Sequence, residues 1–133
     1  VEYMGFPKIL GLAERAWAPQ PEWARIDDDE IRIREREKAW NIFVNKMGQQ
    51  ELPRLDSEGV NYRIPPPGAV IRDGLLKANI RFPGLTLRYT LDGKIPAFSS
   101  AVYEEPVRIP DGAVVKIAAF NSKGRSSRVV TLP

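Results

Sequence analysis

Apolar residues near the start of the chain recur at helical spacing. Between residues 6 and 17 they are Phe6, Ile9, Leu10, Ala13, Ala16 and Trp17. Positions separated by three and four residues share one side of an α-helix, so the pattern predicts a helix with one apolar side. We expect it to begin near residue 5 or 6, with Pro7 in its first turn, and to end before Pro19.

A second helix is predicted after Asp27, Asp28 and Asp29, the first three residues of the acidic run 27–30. The carboxylates of this run suit the N-terminal end of a helix, where they can accept hydrogen bonds from free backbone N–H groups. The run lacks the ligand spacing of an EF-hand calcium loop, so we interpret it as a helix cap and predict no metal site. The helix is expected to continue through Trp40 and Met47 and to end at Gly48.

The pattern changes to short alternating runs in the second part of the chain. We predict seven strands, at residues 62–64, 70–72, 75–79, 86–91, 107–109, 114–120 and 127–132. Asp73 and Gly74 suit the two-residue turn of a hairpin between the second and third of these. Short strands separated by turn residues indicate a small antiparallel β-sandwich.

Composition places the domain boundary near Pro53. Residues 1–52 carry eight basic and ten acidic residues, for a net charge of −2, and residues 53–133 carry 12 basic and seven acidic residues, for a net charge of +5. We therefore predict a helical segment at 1–52 and a sandwich domain at 53–133. The whole chain is 43% hydrophobic and 28% charged, which is ordinary for a globular protein and predicts no membrane segment.

Composition also restricts the chemistry. The chain has no His and no Cys, which excludes a His general base, a Cys nucleophile and a disulfide framework. The carboxylates of Glu104 and Glu105 are neighbours on an extended segment and point to opposite faces. We predict no catalytic and no cofactor-binding residue. Lys123, Arg125 and Arg128 form no continuous basic stripe, so no nucleic-acid partner is predicted.

Aromatic residues leave a carbohydrate-binding alternative open. Tyr62, Tyr89 and Tyr103 are candidates for stacking on a sugar ring. The simpler interpretation is that their rings pack inside the fold and their hydroxyl groups bond to the backbone. Trp17 and Trp40 lie in phase with the apolar sides of their helices, which favours a packing role for them as well.

Two segments of the sequence resemble a known family. Residues 2–17, EYMGFPKILGLAERAW, resemble the last helix of the catalytic barrel in glycoside hydrolase family 20, the β-N-acetylhexosaminidases and chitobiases. Residues 88–96, RYTLDGKIP, resemble the immunoglobulin-like domain that follows the barrel in the chitobiase branch. The resemblance implies two helices, from the end of a (β/α)8 barrel and its connector, followed by a sandwich.

The resemblance also implies a function. The catalytic Asp-Glu pair of the family belongs to sequence before Val1, so we expect a C-terminal, non-catalytic portion of an enzyme that hydrolyses terminal N-acetylhexosamine residues. It implies a periplasmic or extracellular location and no cofactor. Open alternatives are a carbohydrate-binding module and a protein-interaction sandwich.

The helical segment carries more apolar surface than two helices can bury against each other. Leaving several such side chains in water costs roughly 1.5–3 kcal/mol each, so either the second part of the chain or another polypeptide segment is expected to cover them. The resemblance implies that this partner is the catalytic barrel of the same polypeptide, and self-association through the apolar helix is the alternative. The expected interface residues are Phe6, Ile9, Leu10, Ala13, Glu14, Arg15 and Trp17.

Overall fold

A computed structural model describes residues 1–133, which form two compact units, 1–63 and 64–133. The division lies further along the chain than the change in composition near Pro53. The reason is that residues 52–57 form another helix, and its buried side chains belong to the helical unit. None of the helices combines the length and the apolar composition that a membrane-spanning segment needs.

The helical unit contains four α-helices and two irregular helical turns. The elements are α1 (Glu2–Gly5), α2 (Lys8–Trp17), a 3-10 turn (Glu22–Arg25), α3 (Asp29–Lys46), a π-helical turn (Met47–Glu51) and α4 (Leu52–Ser57). The single helix expected from residue 5 or 6 is therefore interrupted. Phe6 is extended, with ψ 141°, because the ring of the following Pro7 disfavours helical geometry in the residue before it.

The start of α3 is as predicted, but its end is not. The side chain of Asp28 accepts a hydrogen bond from the backbone N–H of Ile31 at 2.9 Å, which makes it the N-cap. The predicted stop at Gly48 is wrong, because the chain stays helical through the π-helical turn and α4. Helical geometry ends near Gly59, whose φ of +72° suits a residue without a side chain.

A small core explains why the helix continues past Gly48. Its buried hydrophobic side chains are Val44, Met47, Leu52, Leu55 and Tyr62. If the helix ended at Gly48, then Leu52, Leu55 and Tyr62 would no longer lie in one core with Val44 and Met47. Tyr62 is fully buried, and its hydroxyl donates to Asp56 Oδ2 at 3.1 Å. Residues 62–64 form no strand, contrary to the prediction.

The second unit is a β-sandwich, as predicted, and six of its seven strands overlap predicted ones. The strands are β1 (Gly68–Arg72), β2 (Leu75–Asn79), β3 (Thr86–Thr90), β4 (Ala101–Val102), β5 (Val107–Arg108), β6 (Val115–Phe120) and β7 (Val130–Leu132). One sheet has the order β1-β2-β5 and the other β4-β3-β6-β7, and all the paired strands are antiparallel. Strand β4 was not predicted, because two exposed residues show no alternation.

The β1–β2 hairpin confirms the predicted turn. Arg72 pairs with Leu75, and the two residues between them, Asp73 and Gly74, have φ values of 57° and 69°. Positive φ at both central positions matches the right-handed twist of the strands. The turn therefore sets the register of this hairpin.

Strand β6 forms the centre of the sandwich core. Val115 and residues 117–120 are buried, and Leu87 of β3 pairs with Ala119. The core is completed by Ile64, Leu76 and Phe82, each no more than 6% exposed. A continuous run of buried residues identifies a strand covered on both faces.

The Asp-Gly motif after β3 forms a structural turn. Asp92 Oδ1 accepts from the backbone N–H of Lys94 at 3.1 Å, and Thr90 Oγ1 donates to the Lys94 carbonyl at 2.6 Å. The N–H of Gly93 donates to the Val114 carbonyl at 2.9 Å, which attaches the turn to the approach to β6. The side-chain hydrogen bond from Lys94 is the main cause that holds the pKa of Asp92 below its ordinary value. Every polar group of the motif described here is used to shape the turn.

Candidate interaction surface on the helical unit

Helix α2 contains no buried residue, although six of its ten residues are apolar. The most exposed of its large apolar side chains are Ile9, Leu12 and Trp17, with exposed fractions of 49%, 69% and 86%. An amphipathic helix normally buries its apolar side against the rest of the fold. In α2 that side is turned to solvent.

The two sides of α2 can be assigned from its contacts. A Cβ added at Gly11 would lie 3.8 Å from Cζ of Phe43, so the Gly11 side faces α3. At 3.6 residues per turn, Ile9, Leu12 and Ala16 lie on the other side. We call the set Ile9, Leu12, Ala13, Ala16 and Trp17 the apolar stripe.

The predicted interface residues divide between the two sides of the helix. Ile9, Ala13 and Trp17 belong to the apolar stripe, whereas Glu14 and Arg15 line a groove between α2 and α3. The nearest carboxylate and guanidinium atoms of Glu14 and Arg15 are 3.9 Å apart, and both side chains are about half exposed. Such an exposed pair adds little to stability.

Two of the other predicted positions are half-buried. Leu10 lies next to Gly11 on α2, and Phe6 lies in the break before the helix. The carbonyl of Phe6 accepts from the backbone N–H of Arg63 at 3.0 Å, so this residue anchors the start of α2 within its own unit. Sequence reasoning missed Leu12, although its spacing of three residues from Ile9 was a usable signal.

The groove on the other side of α2, which we call the α2–α3 groove, has a volume of about 880 Å³. Its lining residues include two small ones, Gly11 and Ala39, and three aromatic ones, Trp23, Trp40 and Phe43. The ring centroids of Trp40 and Phe43 are 5.8 Å apart, and Trp40 is still half exposed. Apolar surface is therefore open to solvent on both sides of α2.

The three tyrosines considered for sugar stacking occupy packing positions. Tyr62 is buried in the helical unit and presents no ring face to solvent. Within the sandwich, the rings of Tyr89 and Tyr103 meet edge to face, at 84° with centroids 6.5 Å apart. The hydroxyl of Tyr103 accepts from the backbone N–H of Ala78 at 2.9 Å. The tyrosines do not form a shared flat surface of the kind that a sugar chain stacks on.

Known proteins resemble both units of the chain. The family model described as the chitobiase/β-hexosaminidase C-terminal domain matches residues 51–129. An N,N'-diacetylchitobiase of Vibrio harveyi is 38% identical over 104 residues, which cover 70% of this chain and 11% of that protein. A β-hexosaminidase of Vibrio vulnificus is 29% identical over 98% of this chain and 17% of its own length. A β-hexosaminidase of Porphyromonas gingivalis is 26% identical over 96% of this chain and 15% of its own length.

These matches fit the two-unit structure. The domain model begins inside the helical unit and covers most of the sandwich, whereas two of the relatives align with almost the entire chain, including α2 and α3. The chain spans less than a fifth of the length of each of these relatives. The resemblance of the sequence motifs is confirmed. Since the domain model matches more than half of its residues, this chain belongs to the chitobiase/β-hexosaminidase C-terminal domain family.

Proposed function

We propose that the chain is the non-catalytic C-terminal part of a β-N-acetylhexosaminidase, and that the apolar stripe of α2 packs against the catalytic barrel of the same polypeptide. The observation that carries the proposal is an amphipathic helix whose apolar side is exposed and which contains no buried residue. Two relatives named β-hexosaminidase align over this helix, and most of their length lies outside the aligned region.

The energetic argument concerns Ile9, Leu12 and Trp17. Burying each of these side chains from full exposure is worth roughly 1.5–3 kcal/mol, so covering all three would contribute at most about 4.5–9 kcal/mol before the entropy of ordering them is subtracted. That gain is comparable with the whole stability of a typical small domain. A partner that buries the stripe would therefore be held firmly.

The barrel and the sandwich have different roles in this proposal. In this proposal the barrel carries the groups that hydrolyse terminal N-acetylhexosamine residues, and the sandwich supports the barrel. The motif around Asp92 and Gly93 is used to shape a turn, which agrees with a structural role. We also propose that the whole protein acts in the periplasm or outside the cell.

The test compares one substitution in two contexts. Leu12→Glu should leave the free energy of unfolding of the 133-residue chain unchanged to within about 0.5 kcal/mol, because the side chain of Leu12 is already exposed. In a longer polypeptide that also contains the barrel, the same substitution should lower the free energy of unfolding by at least about 2 kcal/mol, because it places a charge in the interface. Asn41→Glu is the matched control, since it introduces the same carboxylate at an exposed position on the side of α3 that faces away from α2.

Two results would refute the proposal. Hydrolysis of a chromogenic N-acetylglucosaminide by the purified 133-residue chain would show that the chain is catalytic. Equal stability of the Leu12→Glu and Asn41→Glu forms of the longer polypeptide would show that the stripe is not an interface.

A pull-down on insoluble chitin examines the carbohydrate-binding alternative. The structural role predicts that the chain is not retained, because the edge-to-face packing of Tyr89 and Tyr103 leaves no shared ring face. Retention that Tyr89→Ala abolishes would instead favour a carbohydrate-binding sandwich.

A further inference from the structure

We propose that the α2–α3 groove holds a second apolar element of the same polypeptide, from the sequence that precedes Val1, so that α2 is covered on both sides. This inference rests on the proposed function, in which one side of α2 already packs against the barrel. It assigns a partner to a different surface, formed by the opposite side of α2 together with α3.

The groove is shaped to accept an apolar side-chain row. Gly11 has no side chain and Ala39 has a single methyl group, so these two lining residues fill little of the space between the helices. Phe43 lies 3.8 Å from the position of a Cβ at Gly11, and Trp40 stands beside Phe43 with half of its surface exposed. Small residues beside aromatic rings let another backbone approach closely and give its side chains ring surface to contact.

The lack of a local core argues for a polypeptide occupant rather than a small molecule. No residue from Val1 to Phe43 is buried, so both helices that line the groove lack a core of their own along this length. Small-molecule sites usually have walls that are already formed and supported from behind. In this groove the occupant must itself cover the apolar side chains that line it and thereby order them. A packed protein segment can do this.

The charges around the groove do not select a strongly charged partner. Its acidic lining residues are Glu14, Glu22 and Glu35, and its basic lining residues are Arg15, Arg36 and Lys38. With equal numbers of each sign, the rim has no excess of positive charge to attract nucleic acid or an anionic lipid surface. An apolar segment with a mixed polar edge complements such a rim.

The source of the segment follows from the length of the relatives and from continuity. The β-hexosaminidases that align over 98% and 96% of this chain have most of their sequence outside the aligned region. The apolar stripe and the groove lie on two sides of one ten-residue helix. A partner that already contacts the stripe is therefore held at high effective concentration beside the groove.

The test is labelling of a cysteine introduced by substitution. Because the 133-residue chain has no cysteine of its own, no other thiol in it reacts with the label. Ala39→Cys reports on the groove, Leu12→Cys reports on the apolar stripe, and Asn41→Cys is a control on the opposite side of α3. All three positions are exposed. The rate of maleimide labelling at each position is measured by mass spectrometry, in the 133-residue chain and in the longer polypeptide that includes the preceding sequence. Circular dichroism of each variant verifies that its helices are retained.

We expect Ala39→Cys to be labelled at least about tenfold more slowly in the longer polypeptide than in the 133-residue chain, while Asn41→Cys reacts equally in both. Protection of Leu12→Cys with full reactivity of Ala39→Cys would overturn this inference and leave the proposed function standing. Full reactivity of both would overturn both.

Two further results would assign the groove to a different occupant and overturn the inference. Protection of Ala39→Cys in the 133-residue chain that increases with protein concentration would identify a second copy of the chain. Protection of the same variant by added N,N'-diacetylchitobiose would identify a small-molecule site.

Discussion

Tyr103 connects the two sheets of the sandwich at the scale of a single residue. Its backbone N–H donates to the Leu87 carbonyl of β3 at 2.8 Å, and its hydroxyl accepts from the N–H of Ala78 in β2 at 2.9 Å. Strands β2 and β3 belong to different sheets. A tyrosine that was a candidate for binding sugar therefore completes the hydrogen bonding of the fold.

Tyr103→Phe should destabilise the sandwich by about 1–2 kcal/mol. The substitution keeps the ring and its contact with Tyr89 but leaves the N–H of Ala78 without its acceptor. Urea unfolding of the whole chain measures the change. Tyr89→Phe is the matched control, because it alters the other ring of the same pair and should cost less than about 0.5 kcal/mol. Equal effects of the two substitutions would contradict the role given to the Tyr103 hydroxyl.

Helix α3 shows how an element depends on its ends when packing contributes little. Val44 is its only buried residue, so most of the helix is stabilised by local interactions. The side chain of Asp28 caps the first turn, and the guanidinium of Arg32 donates to the carbonyl of Ile26 at 3.0 Å. Arg32 also forms an ion pair with Asp29. The first turn of α3 is therefore stabilised by the Asp28 cap and by two interactions of the Arg32 side chain.

Asp28→Ala should lower the helical content of the chain and destabilise α3 by about 1 kcal/mol, because the N–H of Ile31 loses its acceptor. Circular dichroism at 222 nm measures the loss of helix. Asp27→Ala removes the neighbouring carboxylate, which makes no capping hydrogen bond, and should leave the signal nearly unchanged. If the two variants lose the same amount of helix, then general charge effects, and not capping, stabilise this turn.

At the scale of the whole molecule, the two units differ in how much apolar surface each one buries. The sandwich has a core that includes Leu76, Leu87 and most of β6, whereas burial in the helical unit begins only at Val44. Protection of backbone amides follows burial and cooperative packing. The units should therefore differ in local stability.

Hydrogen exchange of the whole chain should show this difference directly. Amides of β6 are expected to exchange at least about 100-fold more slowly than amides of α2, since opening α2 exposes almost no buried apolar surface. Mass spectrometry of peptides from residues 8–17 and 115–120 measures both rates in one experiment. Similar protection of the two peptides would mean that α2 is stabilised by contacts other than burial of its side chains.

Sequence reasoning succeeded where short-range rules apply. The Asp73-Gly74 turn, the Asp28 cap and the strand pattern each depend on residues within a few positions of one another, so local chemistry determines them. It failed at Gly48, where a glycine that normally ends a helix is buried inside a longer helical path. Tertiary packing of Met47 and Leu52 outweighs the preference of the glycine there.

The sequence by itself determined the class of the fold, the amphipathic character of α2 and the family, because periodicity and motif strings are local properties of the chain. Only the tertiary structure decided which side of α2 is open. The contact of Gly11 with Phe43 turns Ile9, Leu12 and Trp17 outward and places Glu14 and Arg15 along the groove. The physical reason is that helical spacing shows which residues share a side, whereas the partner of that side is selected by packing between elements distant in sequence.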